Sequence, residues 1–297
     1  MATPIGLLQW TEGTRGRDLV AHARKLEALG YHELWLPEVF GREPFAAAGF
    51  QLAKTSRLRV SSGIANVYAH DADSAAQAAN TLAELSDGRF SLGLGVSHPL
   101  LIEPRGHTWV KPVPKMRAYL ERLRAAPIES PRATPAAPVI VAGHGPGLLR
   151  LAQAQADGAL LFLQPLEATR RARAILGVHR ELHVVVRCAF DADAVRARAL
   201  ARRACAFYIS LPAYHEAWGR LGFTAADWAD GGSDGLIDAI CLWGDAATLR
   251  TKIAAFAAAG ASHVVLYPCN PDENYSPMSA VSQHWAWDLL ENLAPGN

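Results

Sequence analysis

The sequence predicts an α/β fold, an (β/α)8 TIM barrel with an insertion after the seventh strand. Three observations point to it. Short apolar runs alternate with helical patterns eight times along the chain. The run Phe90-Ser91-Leu92-Gly93-Leu94-Gly95-Val96 is apolar almost throughout, as strands buried on both faces of a parallel sheet are. The 297 residues suit one barrel of about 250 residues plus insertions. Half of them are hydrophobic and 19% charged, enough for a large core, so residues 1–297 read as a single domain. A doubly wound open sheet is the alternative. Gly93-x-Gly95 fails as its dinucleotide fingerprint: no third glycine follows at the right spacing, no helix pattern starts there, and the motif sits on the fourth strand.

The elements follow in order. Residues 4–9 form the first strand. Residues 17–29 carry Leu19, Val20, Ala23, Leu26 and Leu29 at helical spacing, with Gly30 as the stop. Residues 33–36 are the second strand, closed by Pro37, and 45–54 are helical. Residues 58–64 are the third strand. An alanine-rich helix spans 72–85, with Asp73 or Ser74 as N-cap. The fourth strand is 90–96. A helix at 115–124 and a proline-rich stretch lead to the fifth strand at 139–142. Helix 147–155, strand 158–163, helix 167–176, strand 182–189 and helix 194–208 complete seven units. Residues 212–244, with prolines, tryptophans and Gly231-Gly232, read as an insertion of short helices. Helix 246–259, an eighth strand at 263–267 and a terminal helix over 278–293 end the chain.

Composition excludes several function classes. The net charge is +1 with no basic stripe, so nucleic acid is not expected as a partner. No apolar run reaches the ~20 residues of a membrane span, and no leader pattern precedes the first strand, so a cytoplasmic protein is expected. Cys188, Cys205, Cys241 and Cys269 show no ligand spacing and read as small packing residues. His98, His107 and His144 match no ligand pattern with Glu38 or Asp71, so no metal is expected. There is no Gly-x-Ser-x-Gly elbow and no phosphate loop of the Gly-x-x-x-x-Gly-Lys kind.

In a barrel the chemistry gathers where strands end. The fourth strand runs into Gly95, Val96, Ser97 and His98, where glycine lets a flat ligand approach the backbone. After the fifth strand, Gly143-His144-Gly145-Pro146-Gly147 opens directly onto a helix. Its free N–H groups and the positive end of the helix dipole suit an anion such as a cofactor phosphate. Many strand ends combine small residues with one polar group, as a slot for a planar cofactor requires. Trp10, Phe40, Trp109, Tyr214 and Trp218 either line an apolar pocket above that slot or pack the insertion against the barrel.

The segments Leu34-Trp35-Leu36-Pro37-Glu38, Ser62-Gly63-Ile64-Ala65-Asn66-Val67-Tyr68, the stretch 88–98 and the stretch 142–147 with Ala156-Asp157-Gly158-Ala159 together resemble the luciferase-like flavin and deazaflavin oxidoreductases. The resemblance is closest to the deazaflavin (coenzyme F420) subgroup, through Gly93-Leu94-Gly95-Val96-Ser97-His98 and through the stretch from Leu221-Gly222-Phe223 to Gly231-Gly232-Ser233-Asp234. It covers the chain to about residue 267. It implies a barrel, usually a homodimer, with F420 or, alternatively, FMN at the strand C-termini. It implies a non-prolyl cis peptide at Gly63-Ile64 behind the ring. Ala65 and Asn66 would flank the ring, Gly95, Val96 and Ser97 would lie near it, and Gly143 to Gly147 would hold the phosphate. Related chains carry Gly-Pro-Lys where this one has Gly145-Pro146-Gly147, without the lysine. Bacterial luciferase has a histidine shortly after the second strand, where this chain has Val39-Phe40, which disfavours peroxyflavin chemistry. The expected activity is hydride transfer to or from a small organic substrate, with Glu38 and His98 as the acid/base candidates. The alternatives are an FMN-dependent monooxygenase, and a barrel without catalysis that serves as a binding or partner subunit.

Overall fold

In the computed structural model, which describes residues 3–275 and 284–296, eight parallel strands close into a barrel. The strands are β1 (Ile5–Leu8), β2 (Glu33–Leu36), β3 (Arg59–Ser62), β4 (Ala65–Asn66), β5 (Phe90–Gly95), β6 (Val139–Ala142), β7 (Gly158–Phe162), β8 (Glu181–Phe190), β9 (Cys241–Gly244) and β10 (His263–Pro268). The barrel runs β1-β2-β3-β5-β6-β7-β8-β10, and β10 closes it by pairing with both β8 and β1. The expected barrel is therefore the observed one.

Side-chain alternation divides the interior into two zones. Leu8, Trp35, Ile140, Leu160, Val185 and Val265 pack inside the barrel. Their neighbours Leu7, Leu34, Leu36, Val141, Leu161, Val184 and Leu266 face the surrounding helices. Both faces are thus apolar, which explains the near-continuous apolar runs. Four of the helices begin on acidic side-chain caps: Glu43, Asp71, Asp193 and Asp245 each accept backbone N–H from a first turn. Gly30 takes φ +85° just beyond helix Gly16–Ala28, as a stop requires.

Some elements differ from the sequence reading. The cap of helix Ala72–Leu85 is Asp71, two or three residues earlier than read. The third strand stops at Ser62, the chain bends through Gly63-Ile64, and the two-residue β4 resumes pairing on β5. A one-turn helix, Pro99–Ile102, follows His98 directly. The insertion holds helices Pro212–Gly219, Ala225–Trp228 and Asp234–Ile240 as expected, but it ends in β9, which pairs with the outer half of β8 from Arg187 to Phe190. The last helix is Trp287–Asn292; residues 284–286 are not helical, and 278–283 lie outside the described residues.

Buried Arg187 fastens this outer half. Its guanidinium donates to Pro268 O at 3.0 Å and Ala204 O at 2.8 Å and lies 3.4 Å from the Tyr267 ring centre. The four cysteines are buried, and Cys241 and Cys269 sit with sulfurs 3.8 Å apart beside it.

The N-terminal end of the barrel carries an ionic floor. His183 Nδ1 lies 3.2 Å from Glu33 Oε1 and its Nε2 2.8 Å from Glu181 Oε2, while its ring stacks on His263 at 4.2 Å. Burial opposes charge on His183, but the two carboxylates outweigh it and push its pKa up to about 9. His263 is driven down to about 4 by burial and then by charged His183. Because the folded pKa of His183 is raised, its stabilisation is complete below about 6.5 and is lost as pH rises through about 9. His263 has the opposite sign, so its contribution is lost as pH falls from about 6.5 through about 4. Urea unfolding between pH 6.5 and 9.5 is expected to show an alkaline loss on the order of 3 kcal/mol. Glu33→Gln should remove much of that slope; an equal slope in the variant would assign it elsewhere.

Candidate active site

At the opposite end, the strand C-termini and the insertion enclose a cavity of about 850 Å3. It is mostly apolar, and its polar groups stand at separate stations around the rim. β5 supplies the first station. Gly95, Val96, Ser97 and His98 all line the cavity. Ser97 takes φ +60°, turning the chain sharply, and His98 follows at the N-cap position of the next helix with its side chain making no cap bond. Burial lowers the His98 pKa, so its imidazole is neutral at neutral pH.

The second station is the bulge after β3. The Gly63-Ile64 peptide is cis, as the resemblance implied, and both residues face the cavity. The bulge exists because two glycines on β5 leave room for it. A methyl group on Gly93 would stand 2.1 Å from Ser62 O, and one on Gly95 would stand 2.4 Å from Ile64 Cδ1. Ala65 and Asn66 are buried on β4 and do not line the cavity; they sit one step behind its wall. Glu38 lines the cavity too, but its carboxylate is engaged. Oε2 accepts from Asn66 N–H at 2.9 Å and lies 3.1 Å from His70 Nε2, which raises the His70 pKa against burial. Glu38 thus ties the end of β2 to β4.

The third station is the loop after β6. Gly143, His144, Gly145, Pro146 and Gly147 all line the cavity, and helix Pro146–Gln155 starts there on Gly145, which offers no side-chain cap. His144 is pushed down to about 4 by burial, with His98 and Arg220 adding to the shift, and its buried Nδ1 has no hydrogen-bond partner among the described residues. Of the aromatics, Trp10, Phe40, Trp109 and Tyr214 line the cavity. Trp218 is core instead, its Nε1 donating to Leu163 O at 3.0 Å.

Sequence reading missed Phe207, Tyr208, Glu216 and Arg220, which descend on the cavity from helix Ala194–Ile209 and the insertion. Their positions depend on how the insertion folds back, which no local pattern encodes.

The profile of the family described as luciferase-like monooxygenase matches residues 3–263. The chain belongs to that family. A 5,10-methylenetetrahydromethanopterin reductase of Archaeoglobus fulgidus is 25% identical over 87% of this luciferase-like chain and 92% of its own length. Among solved structures, the coenzyme F420 dependent tetrahydromethanopterin reductase from Methanopyrus kandleri superposes with TM-score 0.76 at 17% identity, covering 99% of this chain and 98% of that one. The oxygenating constituent of 3,6-diketocamphane monooxygenase from Pseudomonas putida, in complex with FMN, superposes with TM-score 0.70 at 16% identity over 99% and 98%. These likenesses establish the barrel of the luciferase-like fold. No helix among the described residues is long and apolar enough to cross a membrane.

Proposed function

We propose that this luciferase-like chain is an oxidoreductase that seats a flavin-type cofactor, coenzyme F420 before FMN, across the barrel mouth and acts on a small organic molecule. The observation that carries the reading is the wall made by Ile64 and Gly95: the side chain of one fills the space where the other has none, leaving a shallow apolar face for a planar ring. A relative described as a putative coenzyme F420-dependent oxidoreductase, 32% identical over 36% of this chain, and the F420-dependent reductase among the solved structures support the choice of cofactor. When bound, a deazaflavin supplies a site that accepts or donates a hydride.

The chain's own residues do the rest. Gly63, Ile64, Gly95 and Val96 would face the ring, and Ser97 with the Gly143–Gly147 loop would meet its polar parts. His98, neutral and half-buried at the rim, would take up or return the substrate proton. Glu38 would act on position, since holding Asn66 N–H and His70 keeps the bulge in register. Trp10, Trp109 and Tyr214 shed water and favour an apolar substrate body.

The reading is tested by titrating the purified protein with F420 and, separately, with FMN, following ring fluorescence. Micromolar binding of F420 with little affinity for FMN is the expected result. Preference for FMN, with oxygen uptake by the reduced complex, would move the chain to the monooxygenases. Binding of neither would end the cofactor reading.

A further inference from the structure

Residue 147 is where a lysine would be expected from the resemblance, and the structure explains its absence. A methyl group on Gly147 would stand 2.9 Å from Val113 Cγ2, on the helix Pro112–Ala125 that backs the loop. A longer side chain there has to push the Val113 side chain aside. Yet the loop keeps the marks of an anion site. Helix Pro146–Gln155 presents first-turn N–H groups that have no partner within the helix, because its first internal bond is Leu149 N–H to Gly145 O. The buried His144 Nδ1 on the same loop also has no hydrogen-bond partner among the described residues. An anion cradle without a cation would hold its ligand weakly.

Arg220 fills that role from another part of the chain. It caps the C-terminus of helix Pro212–Gly219 and lines the cavity. Its Nη1 points at the loop: a methyl group on Gly145 would stand 3.3 Å from it. Its Nη2 is paired with Glu216, four residues earlier and mostly exposed. Among the described residues lining the cavity, Arg220 is the one arginine or lysine. The guanidinium fork is therefore split, with one nitrogen toward the cradle and the other held by a carboxylate that an incoming anion can replace.

We propose that Arg220 supplies the cation of the Gly143–Gly147 cradle, so that the phosphate end of the cofactor is gripped between the barrel and the insertion. The proposal rests on the cofactor reading above. It makes Arg220 a binding residue and gives the insertion a direct part in cofactor recognition.

The experiment compares F420 with its phosphate-free deazaflavin core, each titrated into wild type, Arg220→Met, Arg220→Lys and Glu216→Gln. Arg220→Met should weaken F420 by about 10- to 100-fold, the range of a charge-assisted hydrogen bond, and leave the core within about twofold. Arg220→Lys should recover part of the loss. Glu216→Gln should tighten F420, because it removes the competing carboxylate. Unchanged binding of the core also shows that the variants are folded. Equal weakening of both ligands by Arg220→Met, or no weakening of either, overturns the role of Arg220 while leaving the cofactor reading intact. A wild type that binds neither ligand overturns both, unless it holds FMN over riboflavin. In that case the same comparison is read with that pair.

Discussion

Alanine at position 98 is expected to lower turnover by about 10²- to 10⁴-fold, the usual weight of a positioned acid or base, with cofactor affinity held within about twofold. The two effects separate because His98 stands on the rim, beyond the Ile64–Gly95 wall that would receive the ring. The pH profile gives the sign. Burial depresses the His98 pKa, so the neutral imidazole is the resting form at pH 7 and is ready to accept a proton. When the substrate is oxidised, rate should fall as pH drops through that depressed pKa. In the reducing direction the dependence reverses, because the imidazolium is then the working form. A His98→Ala enzyme that keeps the wild-type pH profile would remove His98 from the chemistry.

Alanine at Gly93 is expected to destabilise the protein by about 3 kcal/mol, the upper end for an overpacked core, and to abolish cofactor binding. The added methyl would lie 2.1 Å from Ser62 O and 2.7 Å from the Trp35 ring. Neither can yield cheaply. Ser62 is the last residue of β3 before the bulge, its hydroxyl donates to Gly93 O at 2.8 Å, and Trp35 is wholly enclosed in the barrel. The strain therefore passes to Gly63 and Ile64. Gly95→Ala is the informative contrast. Its methyl would meet the flexible end of Ile64, so stability should fall less while ring binding still suffers. Thermal unfolding with a fluorescence titration measures both effects. A Gly93→Ala protein that melts and binds like wild type would show that the bulge does not depend on that glycine.

The barrel was legible because its strands are buried on both faces and its helices are spaced by glycine stops and acidic caps, all local signals. The same is true of the Gly95–His98 turn and the Gly143–Gly147 loop, whose glycines mark places where neighbours come close, though Ser97, not a glycine, takes the positive φ. What escaped was written in long-range geometry. Glu38 reads as a free carboxylate at a strand end, and only the fold brings Asn66 N–H and His70 onto it. β9 begins with Cys241, apolar like the helix before it, and becomes a strand because β8 runs on to Phe190 and offers an open edge. Arg220 lies 75 residues from Gly145 in sequence, and nothing near it marks it as facing a glycine loop.

The extension of β8 beyond the barrel bears on how molecules come and go. With β9 hydrogen-bonded along Arg187–Phe190, and Arg187 buried between Pro268 and Ala204, the insertion is joined to the barrel by sheet and not by a slack tether. A wall fastened in this way resists swinging outward. Among the described residues the rim around Phe40 is held by side chains and not by sheet: Arg105 donates to Val39 O and rests on the exposed Phe40 ring, and Arg42 donates to Thr11 O at 3.2 Å. Entry to the cavity is expected on that side, with the sheet-bound insertion as the fixed jamb of the doorway.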